Sequence, residues 1–424
     1  MKRYLAPLVL ITLVISCSPA DKVPFKDGLE DYPVLRKVLD NVDKYQVQLI
    51  YTKIERNEHG NPLMTEYTVN HDDEHYFYPA STVKLPVAIL ALEWLDEQNI
   101  AGLTAETTIL IDSIRPDQIP AFVDNTAKDS LPSIAHYIKK ILLVSDNDAY
   151  NRLYELLGQD YINKKLKEKG LEHTIINHRL SYSASADENS VANPIRFLDS
   201  TGKVILQIPE RVTKTIYSNV DNPIIGKAFY AADSLILHGM DFTYKNKFAL
   251  SDLDGVVKRI VFPSAFLESE RFSITEDQRE FFLEYMSMVP AESDFPKYHK
   301  SAYWDTYSKF YLDGNDKSDL PANIRIFNKT GQAYGHLLDA SYYVDFDKGI
   351  EFFVSAVIYV NKNETLNDDQ YEYDKIGFPF FAELGDYLYQ MESERKKMIP
   401  ADLKKFKFDY LENSNRSILP KLNQ

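Results

Sequence analysis

A serine and a lysine three residues apart, Ser81 and Lys84, form the first pair in the sequence that could perform chemistry. This spacing at a helix start places both side chains on one face. A serine hydroxyl is a weak nucleophile until a base takes its proton, and a lysine is such a base when burial or a nearby cation lowers its pKa. The pattern alone is weak, because it recurs at residues 200–203 and 393–396. An isolated match is more often an N-capping serine beside a surface lysine.

Two further short motifs each occur once in the chain. Residues 145–147 (Ser-Asp-Asn) interrupt a helical pattern, and residues 329–331 (Lys-Thr-Gly) follow an apolar strand. Each also has an ordinary structural interpretation. The first fits an interhelical turn whose polar residues cap the next helix. The second fits the end of a hairpin beside a turn glycine.

The three motifs in this order are those of class A β-lactamases and penicillin-binding proteins. Each motif also has the required context: a helix start, an interhelical loop and a strand. The sequence therefore resembles the serine β-lactamase and penicillin-binding protein superfamily, and is most similar to class A. Residues 78–80 (Tyr-Pro-Ala) and 85–87 (Leu-Pro-Val) on either side of the first motif strengthen the resemblance. It covers residues 35–180 and 250–392.

The resemblance implies a catalytic role for four residues. Ser81 would be the nucleophile that accepts the acyl group, and Lys84 would activate it. Ser145 would pass a proton to the leaving amide nitrogen. Lys329 would lower the proton affinity of its neighbours and attract a substrate carboxylate.

The resemblance also implies a set of substrate-binding groups and no cofactor. Asn147 would hold the lysine base and the side-chain amide of the substrate. Thr330, followed by Gly331, would bind the substrate carboxylate through its hydroxyl. The backbone N–H groups of Ser81 and Gln332 would form the oxyanion hole, where removal of one donor typically costs about 10²–10³ in rate.

The sequence departs from the class A pattern at two places. Class A enzymes carry a loop glutamate, about three dozen residues beyond the middle-motif serine, that activates the deacylating water. Residues 179–180 (Arg-Leu) resemble the start of that loop, but residues 181–186 contain no carboxylate. Glu188, next to Asp187, is the candidate deacylation base, and a solvated loop acid is the alternative. The strand after Lys-Thr-Gly, residues 337–346, also lacks the arginine or lysine that often binds a carboxylate.

These motifs require a fold in which the two ends of the chain build one sheet. We predict an α/β (α+β) domain over residues 31–424, with three α/β/α layers, a mainly antiparallel sheet and an inserted helical subdomain at about 82–310. An extra insertion at about 181–250 would lie on the rim of the site. The predicted strands are 47–54, 64–69, 325–328, 340–344 and 352–359. The predicted helices are 32–45, 81–99, 131–144, 148–157, 251–261, 275–287 and 376–391.

Composition and charge exclude several functions. The chain has 48 Lys+Arg against 63 Asp+Glu, a net charge of −15 that disfavours nucleic acid as a partner. Its 44% hydrophobic and 26% charged residues are ordinary for a globular protein. One cysteine excludes an intramolecular disulfide and a zinc ribbon. No metal site is expected, because His71 and His75 lie in a polar hairpin loop.

The start of the chain resembles the signal of a bacterial lipoprotein. Residues 1–16 have a positive start and an apolar run too short to span a bilayer. Residues 14–17 (Val-Ile-Ser-Cys) resemble a lipobox, which implies acylation of Cys17 and a tether over residues 17–30. The expected location is the bacterial cell envelope, with a lipid anchor in the outer membrane and the domain facing the periplasm. An ordinary signal peptide with a chance cysteine is the alternative.

Three functions follow from the motifs. The first is a serine hydrolase that forms an acyl-enzyme on Ser81 and hydrolyses the amide of a β-lactam. The second is a peptidase or esterase of the same fold that acts on a cell-wall peptide or another envelope acyl compound. The third is a binder or sensor that keeps the acyl group, ranked last because the sequence shows no second membrane segment that could relay a signal. Small acyl compounds are thus the expected partners, together with the membrane through the lipid anchor.

Overall fold

The computed structural model describes residues 24–410. Cys17, the predicted signal peptide and the first part of the predicted tether lie outside the described residues. Within residues 24–410, no helix has the length and apolar character needed to cross a membrane.

Five long strands form the main sheet, and shorter strands lie between them or after them in the chain. The strands are β1 (Gln48–Arg56), β2 (Pro62–Val69), β3 (Thr108–Ile111), β4 (Thr174–Ile175), β5 (Val191–Ala192), β6 (Ile195–Leu198), β7 (Val204–Ile208), β8 (Arg211–Val212), β9 (Ile224–Ile225), β10 (Ala228–Ala231), β11 (Ser234–Ile236), β12 (Met240–Asp241), β13 (Lys247–Phe248), β14 (Ile324–Ala333), β15 (His336–Asp345), β16 (Ile350–Tyr359) and β17 (Thr365–Leu366).

The main sheet joins the two ends of the chain. Its order is β14-β15-β16-β1-β2, and every neighbouring pair is antiparallel. The two N-terminal strands therefore pair beside the C-terminal ones, although more than 250 residues separate β2 from β14. This confirms the predicted antiparallel sheet built from terminal segments. The short strand predicted at 325–328 is longer in the structure, so that the Lys-Thr-Gly motif lies inside β14.

Helices cover both faces of this sheet. They are α1 (Pro33–Leu39), α2 (Lys84–Gln98), α3 (Ile134–Val144), α4 (Asn147–Leu157), α5 (Gln159–Glu168), α6 (Ala186–Asn189), α7 (Leu250–Val261), α8 (Glu276–Ser287) and α9 (Phe378–Glu394). Helices α1 and α9 pack on one face, α7 and α8 contact the other, and α2, α3 and α4 lie beyond them. Side chains alternate along β1. Leu49 therefore packs in the core beneath α1 and α9, and Ile50 packs in the core beneath α7 on the opposite face. The predicted three-layer α/β/α arrangement is thus confirmed.

The middle of the chain differs from its prediction in one respect. The prediction is a mainly helical region from about 82 to 310. In the structure, residues 191–248 instead form the short strands β5–β13. Between α5 and these strands there is only one short helix, α6, of four residues. Apolar residues here come in runs of two to five between polar turns, a length that suits short strands. The helix predicted at 32–45 is also shorter, since α1 ends at Leu39.

The inserted strands dock on the C-terminal part of the chain. Strand β10 pairs in parallel with β17, and the amide of Asn367 donates to the Tyr230 carbonyl at 3.0 Å. Gly226 makes this approach possible, because a Cβ there would lie 2.7 Å from the carbonyl oxygen of Glu364. The backbone of Gly226 also has φ +74°, a conformation that favours glycine. The insertion is therefore fixed beside the loop that follows β16.

Candidate active site

Ser81 lies in a tight turn directly before a buried helix. The turn is a 3₁₀ helix, Ala80–Val83, and α2 begins at Lys84. Ala80 has φ +48°, a region that costs energy for a residue with a Cβ. The Thr82 hydroxyl closes the turn by donating to the Pro79 carbonyl at 2.7 Å. The half-buried side chain of Ser81 is thereby presented to the cleft described below.

Lys84 is fully buried and reaches from α2 to the middle motif. Its Nζ donates to Asn147 Oδ1 at 2.6 Å, to Ser145 Oγ at 3.2 Å and to the Ser145 carbonyl. The helix start thus places a lysine ammonium one turn from Ser81, with its hydrogen bonds directed at the corner between α3 and α4.

The middle motif forms that corner. Helix α3 ends at Val144, and Ser145 takes the left-handed conformation with φ 59°. Asp146 caps α4, because its carboxylate accepts the Ala149 N–H at 2.8 Å. Asn147 is the first residue of α4. The motif therefore forms an interhelical turn, as its ordinary structural interpretation predicts. The same turn also directs the side chains of Ser145 and Asn147 toward Lys84.

The third motif brings a second lysine, Lys329, to the hydroxyl of Ser145. Lys329 is buried on β14, and its Nζ donates to Ser145 Oγ at 2.8 Å and to the Thr330 carbonyl at 2.9 Å. Strand β14 lies against the turn that carries Ser81. A Cβ on Gly331 would lie 2.8 Å from the Pro79 carbonyl oxygen, so glycine is required for this contact.

Burial of the two lysines sets their proton affinity. Burial, and then the charge of Lys329, hold the pKa of Lys84 well below its usual value. Burial lowers the pKa of Lys329 to about 7, although the Asp339 carboxylate acts in the opposite direction. Within residues 24–410 neither lysine forms an ion pair with a carboxylate. Burial thus makes each ammonium easier to deprotonate, as general base chemistry by a lysine requires.

A buried polar network lies behind Lys329. The Lys309 ammonium donates to Asn328 Oδ1 at 2.7 Å, and the Asn328 amide donates to both oxygens of Asp339 at 2.8 and 3.0 Å. Burial raises the pKa of Asp339 and lowers that of Lys309. Sequence reasoning did not single out this network. It lies beneath the strand that carries Lys329 and fixes Asn328, the residue next to it.

The motif residues meet at one open cleft of about 500 Å³. The predicted site residues that line it are Ser81, Ser145, Asn147, Thr330, Gly331 and Gln332. Its far wall is aromatic and acidic, with Trp304, Tyr307, Tyr371, Asp369 and Asp374. Sequence reasoning missed this wall, because its residues come from two loops that carry no motif.

The structure does not bring Glu188, the candidate deacylation base, to the cleft that Ser81 lines. Its carboxylate accepts the Ser185 N–H at 2.6 Å and the Ser185 hydroxyl at 2.9 Å, which caps α6. These two hydrogen bonds lower the pKa of Glu188. Glu188 lines a different cavity, beside Arg179 and Tyr182, and Ser81 is not part of that cavity. The alternative interpretation, a solvated loop acid, describes Glu188 better.

Ser181 is the residue of this loop that reaches the motif residues. Its Oγ accepts a hydrogen bond from Asn147 Nδ2 at 2.9 Å. Sequence reasoning noted position 181 only for lacking a carboxylate. The spacing from Ser145, about three dozen residues, was the signal that could have identified the position.

A family model matches part of the chain. Residues 35–204 match the model of a beta-lactamase enzyme family. The match contains the first two motifs, whereas Lys329 lies beyond it. No curated protein sequence matches the chain.

Solved structures of β-lactamases are similar to the chain at low sequence identity. A β-lactamase from Sphaerobacter thermophilus DSM 20745 is 13% identical, with a TM-score of 0.46, over 87% of this chain and 99% of that one. One from Burkholderia ambifaria is 12% identical, with a TM-score of 0.46, over 85% and 99%. A class A β-lactamase from Clostridium kluyveri DSM 555 is 12% identical, with a TM-score of 0.44, over 85% and 100%.

The family match confirms the resemblance predicted from the motifs. Over residues 35–204 the chain is β-lactamase-like. The third motif is joined to this region by the contact between Lys329 and Ser145.

Replacement of Gly331 by alanine should damage the site through the turn that carries Ser81. The added Cβ would meet Pro79 O at 2.8 Å, Thr82 Cγ2 at 3.1 Å and Ala80 Cβ at 3.3 Å, so β14 and the turn must separate. Such overpacking typically costs about 1–3 kcal/mol of stability. We expect the reactivity of Ser81 toward an acyl probe to fall at least tenfold, measured beside the unfolding midpoint. Gln332→Ala is the control, since its exposed side chain can be removed while its backbone N–H remains. Equal reactivity of Gly331→Ala and the wild type would contradict the close packing.

Proposed function

We propose that this chain is a serine hydrolase that forms an acyl-enzyme on Ser81 and hydrolyses the amide of a β-lactam. The observation that carries the proposal is the convergence of the buried Lys84 and Lys329 on the hydroxyl of Ser145, which lines the same open cleft as Ser81. The family match at residues 35–204 supports the same class of chemistry.

The proposed acylation uses these groups as follows. Neutral Lys84 takes the proton of the Ser81 hydroxyl, whose oxygen then attacks the carbonyl carbon. The C–N bond breaks, and the proton reaches the leaving nitrogen through the Ser145 hydroxyl. Lys329, still charged below its pKa of about 7, and Thr330 bind the substrate carboxylate. The product is an ester on Ser81, which water then cleaves to the free acid and the free serine.

The backbone N–H groups of Ser81 and Gln332 are proposed to form the oxyanion hole. Both residues line the cleft. Because Gly331 has no Cβ, β14 can lie directly against the turn that carries Ser81, which brings the two residues close together. Donors of this kind stabilise the charge that develops on the carbonyl oxygen during attack.

A second candidate function is a peptidase or esterase that acts on a cell-wall peptide or another envelope acyl compound. The observation that favours it is the length of the binding surface. A second cleft of about 510 Å³ shares Asp369 with the first and runs along β10 and β11 of the insertion. A compact bicyclic ring needs only the part near Ser81, whereas a peptide would also occupy the extension.

The proposed location is the bacterial cell envelope, with the chain anchored by acylation of Cys17. Its support is the sequence alone: an apolar run followed by a lipobox-like segment at residues 14–17. Such an anchor would hold the domain where cell-wall peptides and β-lactams are present.

Ser81→Ala should abolish covalent labelling by a β-lactam. Lys84→Ala should reduce it nearly as much, because members of such a catalytic unit fail together. Mass spectrometry of the intact protein at successive times after mixing measures the adduct. Ser200→Ala is the matched control, since Ser200 and Lys203 repeat the same spacing on the surface.

The time course separates the candidate functions. A transient adduct with hydrolysed drug supports the β-lactamase. An adduct that persists without turnover supports a penicillin-binding-protein-like enzyme or a binder. Labelling of Ser81→Ala at the wild-type rate would show that the nucleophile lies elsewhere.

Glu188→Gln should leave the loss of the acyl group unchanged within about twofold, because a general base is worth about 10²–10⁴ in rate only where it reaches the water. Glutamine also preserves the cap on Ser185. Release of the acyl group is followed by mass spectrometry after the excess probe is removed. With no carboxylate at 181–186, we also expect the wild-type adduct to decay slowly enough to accumulate. A variant that acylates normally but stays acylated would restore Glu188 as the base.

Acyl probes that carry an ammonium group should acylate Ser81 about two- to fivefold faster than neutral analogues, the range expected for exposed charges. Asp369 and Asp374 line the cleft as exposed carboxylates, and no arginine or lysine is among its lining residues in the described part of the chain. The preference should shrink at high salt and in Asp369→Asn with Asp374→Asn. Asp187→Asn, at an exposed position on α6 outside the cleft, is the control. An unchanged preference in the double variant would exclude these carboxylates as its cause.

A further inference from the structure

The Asn147 amide has a different partner on each side. Its Oδ1 accepts from Lys84, and its Nδ2 donates to Ser181 Oγ at 2.9 Å. A lysine ammonium has donors only, so the side of the amide that faces it must be the oxygen. The nitrogen then needs an acceptor, and the Ser181 hydroxyl supplies one.

The backbone next to Ser181 is clamped to the same helix. Asn151 lies one turn beyond Asn147 on α4, so the two side chains share a face. Its Oδ1 accepts the Leu180 N–H at 2.8 Å, and its Nδ2 donates to the Leu180 carbonyl at 3.0 Å. This two-way pairing holds the loop in register, so that the next residue meets Asn147.

Arg179 also holds the loop, through hydrogen bonds to helix α4 and to the residues that follow the loop. Its guanidinium binds the Glu155 carboxylate at 3.0 Å and the carbonyl oxygens of Glu188 at 3.1 Å and Val191 at 2.7 Å. Ser181 itself has φ +50°, a conformation that an L residue adopts at some cost. The position of the hydroxyl is therefore determined by contacts on both sides of it.

We propose that Ser181 is a positioning residue that fixes the orientation of the Asn147 amide and thereby the proton affinity of Lys84. The proposal rests on the proposed function, because it concerns the lysine that activates Ser81. With the amide held, Oδ1 faces Lys84 and stabilises the ammonium that forms when Lys84 takes the serine proton. Ser181 does not touch the reacting atoms and acts through Asn147.

Loss of the Ser181 hydroxyl has a defined effect on pH dependence. A free amide can turn its nitrogen toward Lys84, and the ammonium then loses an acceptor. The pKa of Lys84 falls further, so the lysine is neutral, and able to act as base, at lower pH. The charged groups that face Lys84 are Lys329 on β14 and Asp146 at the corner, and neither is changed by a substitution at position 181.

The experiment measures acylation of Ser81 by a β-lactam across pH in the full chain. In Ser181→Ala the maximal rate should fall about threefold to tenfold, the loss typical of one hydrogen bond. The acid limb of the profile should move to lower pH. Ser181→Gly removes the same hydroxyl but suits a positive φ, so it should behave like Ser181→Ala. Ser183→Ala, an exposed serine of the same loop, is the control and should match the wild type.

A double-variant cycle with Asn147→Ala tests the route of the effect. If Ser181 acts through Asn147, then Ser181→Ala should have no further effect on the rate or the acid limb in the Asn147→Ala background. Additive effects, or an unmoved acid limb with recovery in Ser181→Gly, would overturn the proposal in favour of a backbone role. Absence of any labelling in the wild type would instead refute the proposed function.

Discussion

The site depends on two buried lysines that share one hydroxyl. Lys84 and Lys329 both hydrogen bond to Ser145 Oγ, at 3.2 and 2.8 Å, and neither has a carboxylate in an ion pair within the described residues. Two ammonium groups this close in a poorly solvated place disfavour each other's charge. Burial lowers the pKa of each lysine, and the charge of Lys329 lowers that of Lys84 further. In the proposed function, this burial is what allows Lys84 to take the proton of the Ser81 hydroxyl.

Backbone strain at three positions accompanies this arrangement. The strained residues are Ala80, Ser145 and Ser181, which all have positive φ. Ala80 lies directly before Ser81, and Ser145 and Ser181 each direct their own hydroxyl toward the motif residues. Such conformations cost about 1–3 kcal/mol each and persist only when their surroundings hold them. The Ser81 turn is held by aromatic packing, since Tyr78 contacts Phe242 and Tyr334 with ring centroids 5.6 and 5.0 Å apart. Packing in the core therefore supports the strained turn that carries Ser81.

The insertion contributes to the site in two ways. Phe242, from the insertion, packs behind the turn that carries Ser81, and β10 and β11 extend the cleft past Asp369. In the proposed function, such a segment can select substrates without altering the chemistry. The proposed catalytic groups and the residues that would select a substrate then come from different parts of the chain, which is common where one fold serves several functions.

Local patterns in the sequence identified the long elements and the motif residues. Apolar periodicity located the long strands and most helices, because packing one face of an element against a core leaves a local pattern. The types and spacing of Ser81, Lys84, Ser145 and Lys329 indicated their chemistry in the same local way. Three contacts could be seen only in the folded chain. Lys329 hydrogen bonds to Ser145 across 184 residues, and Ser181 accepts a hydrogen bond from Asn147. Glu188 accepts a hydrogen bond from Ser185 and caps its own helix. The acidic and aromatic wall and the short strands of the insertion were likewise beyond prediction. These features depend on contacts between segments far apart in the chain, and such contacts leave no periodic signal in either segment.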